Sequence, residues 1–196
     1  MSGPTQTKLN PDLAALLPRA GLPQPAIDVV TGLASTEAAL EALEAADMLV
    51  EATRLIAHAL PRREAVWWAC MCARHNTPDT LSPDDLAAIE AAELWVRSQT
   101  DESRRAGFDH AGRAGFNSPE AWAAVGAFWS GESLAPLGQA AVAPPPQVAA
   151  AAIAGSVALA SVRDRPERRP DRLRHFLASA RDIAAGGPGR LPRETG

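Results

Sequence analysis

Cys70, Cys72 and His75 crowd into one short run and are the nearest thing in the chain to a reactive or metal-binding group. A thiolate beside an imidazole is the pairing that nucleophilic and redox-active cysteines use, and the same atoms ligate zinc. On a helix Cys72 and His75 are three apart and share a face. Cys70 and Cys72 then lie about 200° apart and do not face each other, which speaks against both a disulfide and a joint metal site. Zinc takes four converging ligands, usually from CxxC pairs. Here there is one CxC and no second cluster, and His58, His110 and His175 are scattered. The plainer reading is two small core side chains and a boundary histidine. The chemical alternative is a small enzyme or redox-sensitive regulator that uses Cys70, Cys72 and His75. No GxSxG, phosphate loop, HExxH or EF-hand pattern occurs, so no catalytic residue, metal or cofactor is assigned.

The most specific local feature lies just upstream. Arg62, Arg63 and Glu64 precede Trp67 and Trp68. A guanidinium there can pair with a carboxylate from a neighbouring helix and stack on an indole. Trp and Arg are also the side chains that most often dominate protein interfaces. The plainer reading is that the cluster pins the start of a helix. Periodicity puts Val66, Trp67, Cys70 and Met71 on one buried stripe and turns Trp68 and Cys72 to other sides. The candidate interaction residues are therefore Arg62, Arg63, Glu64 and Trp68. Gly155 joins them, because Ala151/Gly155 and Ala152/Ser156 form flat small-residue faces on which a helix can lie. The run 163–174 holds six Arg against Asp164, Glu167 and Asp171. Its interleaved acids and lack of a stacking aromatic make it a solvated turn and not a nucleic-acid site.

These residues need helices to position them. The chain has 196 residues, 46% of them apolar, with five Trp, four Phe, no Tyr and an abundance of Ala. Ala favours helix, and strand-forming residues are few. The fold class expected is all-α: a single-domain irregular bundle of seven to eight helices with a proline-rich N-terminal arm. Residues 1–36 form that arm, partly mobile, with one short turn at Leu13–Leu17. Residues 37–187 form the helical domain and 188–196 a flexible tail. Helices are expected at 37–43, 46–60, 61–75, 83–99, 101–112, 121–130, 147–162 and 171–185. Ser82-Pro83-Asp84 and Ser118-Pro119-Glu120 are strong starts: a capping hydroxyl, a proline in the first turn, and an acid at the positive end of the dipole. The helix at 61–75 is apolar on more than one face and is expected at the centre. The last two helices, joined by a short turn, are expected to pack as an antiparallel hairpin.

Net charge is −4, with seven basic and 13 acidic residues in 1–100 but 12 and 10 in 101–196. That asymmetry can organise a protein contact but is too weak for nucleic acid. No signal-peptide h-region opens the chain, and the Ala-rich 147–162 is too short to span a bilayer. The expectation is a cytoplasmic protein with a protein partner, without nucleic acid or membrane, its oligomeric state left open.

Three stretches carry a resemblance. The runs AHALPRREAVWWACMCARH at 57–75, WAAVGAFWSGESLAP at 122–136 and RHFLASARDIAAG at 174–186 resemble an uncharacterised bacterial family of small helical proteins with an LPxREAVWWAC motif. The resemblance covers most of 46–186 and implies a setting in type VI secretion. It transfers no catalytic residue. The preferred function is a non-enzymatic interaction or accessory protein.

Overall fold

The computed structural model describes residues 7–194. Ten α-helices follow one another: α1 (Leu13–Ala20), α2 (Gln24–Val30), α3 (Thr36–Ala45), α4 (Leu49–Ala59), α5 (Arg62–His75), α6 (Pro83–Ser98), α7 (Asp101–Arg113), α8 (Pro119–Trp129), α9 (Val148–Val162) and α10 (Arg169–Ala184). A 3-10 turn at Pro166–Arg168 leads into α10, and no strand occurs among the described residues. Local chemistry sets most starts. Ser35, Ser82, Thr100 and Ser118 each accept a hydrogen bond from the amide three residues on, which satisfies one of the otherwise unpaired N–H groups of the first turn. Two ends are made without glycine: Asp47 (φ 56°) separates α3 from α4, and Gln99 (φ 51°) closes α6.

The all-α class holds, but the helix count rises to ten because the N-terminal segment contributes two. Pro25 lies in the first turn of α2, where a missing N–H costs nothing, and Pro18 lies near the end of α1. Leu9, Leu13, Leu16, Ala26 and Val30 are buried in the common core. Lys8 N–H donates to Ala184 O (2.8 Å), Asn10 N–H to Ala59 O (2.9 Å), and the Thr36 hydroxyl to Asn10 O (2.7 Å). The mobility expected at residues 1–6 lies outside the described residues.

α5 is central, packed by α6, α8, α9 and α10. Its two tryptophans exchange their expected roles. Trp68 is fully buried and its indole N–H donates to Phe176 O of α10 (2.8 Å). Trp67 is only half-buried and donates to Pro188 O (2.8 Å). A helix covered on several sides has no single buried stripe, so periodicity cannot rank its faces. α9 is likewise central. It packs chiefly on α8, α5 and α4 and much less on α10, so the expected hairpin is not the main contact. The close approach is made on α8: a Cβ at Gly126 would stand 2.8 Å from Ile153 Cγ1.

The arginine run is not simply solvated. Arg172 is 3% exposed, and its Nη1 donates to the carbonyls of Ser161 (3.2 Å), Arg163 (2.6 Å) and Arg165 (3.3 Å), satisfying the end of α9. Its other nitrogens hold the C-terminal segment through Glu194 (Nε 3.0 Å, Nη2 2.5 Å), joined by Arg168 (2.8 Å). Residues 188–194 thus form a strap. Ser179 donates to Gly189 O (2.6 Å) and His75 Nδ1–H to Pro192 O (2.5 Å). Residues 195 and 196, the end of the expected tail, lie outside the described residues.

Hydrogen bonds from Arg172, then Arg168, pull the Glu194 carboxyl from 4.5 down to about 2. A depressed carboxyl contributes stability above its unfolded value, and the contribution fades as pH falls toward the folded value. Melting temperature should therefore drop between about pH 4.5 and 2, and Glu194→Gln should flatten that limb. An acid limb identical in the two proteins would show the strap adds nothing.

Candidate docking surface

Cys70 and Cys72 are both free and fully buried on α5. Burial pushes both thiols well above their ordinary value, so neither supplies a thiolate at neutral pH. His75 is turned to the strap, with Nδ1–H committed to Pro192 O and its backbone oxygen accepting from Glu194 N–H (2.6 Å). Among the described residues, no three His, Cys, Asp or Glu side chains converge as a cation cage. The native protein should resist thiol reagents for hours and take up two equivalents once denatured. Rapid labelling of the native chain would restore the cysteines as candidates.

The Arg62–Trp68 cluster divides. Arg62 Nη1 donates to Ser130 O at the end of α8 (3.2 Å) and Arg63 Nε to Val96 O in the last turn of α6 (2.7 Å). Both guanidiniums thus meet the negative ends of helices and not the expected carboxylates. Arginine over an aromatic ring does occur, but elsewhere: Arg104 and Arg105 lie 5.1 and 5.8 Å from the Phe128 centroid. Glu64 pairs with Lys8 (3.0 Å). Trp68, fully buried, is removed from any contact surface, and Trp67 takes its place.

Trp67 lines a hollow of about 350 Å³ together with Arg63, Glu64, Val96, Arg97 and Ile183. Gly186 and Gly187, just past α10, complete one wall, and Lys8 closes another. The indole N–H is already satisfied by Pro188, so what the ring offers is apolar surface. Arg97, in the last turn of α6, makes no hydrogen bond or ion pair among the described residues. An indole beside a guanidinium with no internal partner can take an apolar side chain and a carboxylate together. Lys8, Arg97 and the α10 end reach the hollow through long-range packing, and no local spacing pointed to them.

Gly155 stands apart from this cluster. A Cβ there would meet only Trp122, at 3.9 Å, an ordinary contact, so no helix lies closely on Gly155 within the fold. Gly155 instead lines a separate hollow of about 430 Å³ between α1, α4, α9 and the start of α10. A further hollow, about 550 Å³, lies under the strap. Two ion pairs cross it, Glu194 on Arg172 and Asp79 on Arg193, beside Asp164 and Arg165.

A model of a family of unknown function, DUF6931, matches residues 39–184, leaving α1, α2 and the strap outside. No curated protein and no solved structure matches the chain.

Proposed function

We propose, from the premise that the chain belongs to DUF6931, a family of unknown function, that it is a non-enzymatic interaction or accessory protein. It docks a protein partner on the Trp67 hollow. The observation that carries this reading is the pairing of a half-buried indole with the internally unpartnered Arg97 on the wall of one open hollow. Most other arginines spend their charge inside the fold. Trp and Arg are the types that dominate interface energetics when seated centrally and desolvated. The complementary partner segment carries an apolar side chain for the indole and a carboxylate for Arg97.

The resemblance of the LPRREAVWWAC run supports placing this partner in a bacterial type VI secretion apparatus, on its cytoplasmic side. No helix among the described residues is long and apolar enough to cross a membrane. The buried thiols favour an adaptor over the enzyme or redox-regulator alternative. The test is affinity capture from the native host with three baits. Arg97→Glu should reduce a specific partner at least tenfold without changing the melting temperature. Cys70→Ala with Cys72→Ala should leave capture unchanged. Partner loss with the cysteine variant but not with Arg97→Glu would overturn the reading in favour of the alternative.

A further inference from the structure

The hollow that contains Gly155 has a different chemistry from the docking surface. Its basic lining comes from three elements: Arg19 at the end of α1, Arg54 and the neutral His58 on α4, and Arg169 at the start of α10. No Asp or Glu lines it. Glu51, one turn before Arg54, does not reach it. A smaller adjoining hollow of about 180 Å³ shares Arg19 and His58 and adds Arg62, again without an acid.

Many other arginines of this chain meet carboxylates. Arg74, Arg105, Arg113, Arg163, Arg172, Arg174, Arg181 and Arg193 all do so. Arg19 and Arg169 have no such partner among the described residues, and Arg54 gives one N–H to Gly21 O (3.2 Å). The Nε of Arg169 is buried without any hydrogen-bond partner. Gathering like charges around a low-polarity floor raises the energy of the folded chain, and an unpaired buried N–H adds to it. The floor is made of Ala151, Ala154, Gly155 and Ala158, whose small side chains leave the space open. Ala149 and Ala150 of the first turn of α9, the positive end of that helix's dipole, line the adjoining hollow together with Arg62.

We infer that this hollow binds a small, multiply charged oxyanion, held by Arg19, Arg54 and Arg169. The guanidinium fork matches phosphoryl and carboxylate oxygens alike. At about 430 Å³ the space is of the order that small-ligand sites use. Burial and the Arg19 charge lower the His58 value, so at neutral pH His58 offers a neutral N–H and not a fourth charge. The site is independent of the Trp67 hollow and shares no residue with it.

The test is isothermal titration of the full chain at low salt with two probes, inorganic pyrophosphate and citrate. The expected result is saturable one-to-one binding and a rise in melting temperature with ligand. Arg54→Gln and Arg169→Gln should each weaken binding at least tenfold, while Arg190→Gln, on an exposed side chain outside this hollow, should not change it. Tight pyrophosphate with weak citrate assigns the phosphoryl source, and the reverse assigns the carboxylate source. No saturable binding of either probe overturns the inference, as does binding that survives both variants. Should Arg169→Gln melt early, Arg19→Gln, on an exposed side chain, carries the comparison with Arg54→Gln.

Discussion

Trp68→Ala is expected to lower the unfolding free energy by about 3–5 kcal/mol, the usual cost of deleting a core aromatic. The ring is fully buried at the seam of α5 and α10. Its removal leaves a cavity that two packed helices cannot close, and it takes away the indole N–H that Phe176 O accepts at 2.8 Å beside that carbonyl's own helix bond. Phe176 is itself fully buried and lies edge-on to His75, with ring centroids 5.6 Å apart. Trp68→Phe separates the two contributions: it keeps most of the volume, loses the donor, and should cost about 1–3 kcal/mol. For a chain of this length the alanine variant should melt roughly 10 °C lower. Urea unfolding followed by circular dichroism measures both. Trp67→Ala, on a half-buried ring, should cost clearly less. Equal losses at 67 and 68 would mean that the two indoles are equally buried.

Arg163→Ala should cost a comparable amount, about 3–5 kcal/mol, for an electrostatic reason. Glu120, in the first turn of α8, is 1% exposed and is paired with Arg163 just beyond α9. Arg163 also donates to Ala73 O (3.4 Å) near the end of α5. The pair thus joins α8, α9 and α5 at one point. Removing the guanidinium leaves a buried carboxylate, one of whose oxygens, Oε1, already lacks a hydrogen bond. Replacing both partners tests the reason. Glu120→Leu with Arg163→Met should recover to within about 1–2 kcal/mol of the natural protein, because the desolvation of both charges is relieved. A double variant as unstable as Arg163→Ala would show that packing, and not the unpaired charge, sets the loss.

What was legible in the sequence was whatever is local. Ser82-Pro83 and Ser118-Pro119 mark helix starts because a hydroxyl, a fixed φ and an acid act within one turn. The ends at Asp47 and Gln99 were harder, since both use positive φ without the glycine that usually signals it. The prolines of residues 1–36 read as breakers. Pro25 sits where helices tolerate proline, and the leucines around α1 find a core that no local pattern reveals. Trp67 and Trp68 exchanged roles because α5 is covered from several directions. Which face is deepest is decided by α10, more than a hundred residues away in the chain. The docking hollow was half-visible. Arg63 and Glu64 belong to the motif that drew notice, but Arg97, Lys8 and the turn after α10 are placed by tertiary packing alone. The arginines around Gly155 come from three separate helices, each unremarked in its own segment.

The central claim is that a protein partner seats on the Trp67 hollow. It is tested most directly by placing a photoreactive amino acid at position 64 in the native host, with position 28 on α2 as the control. Glu64 lines the hollow and leaves Trp67 and Arg97 in place, whereas Asp28 is exposed and lies outside it. The account predicts one discrete protein adduct from position 64, none from position 28, and loss of the adduct when Trp67→Leu or Arg97→Glu is added. Adducts equally strong at both positions, or an adduct at 64 that is indifferent to Trp67 and Arg97, would contradict it.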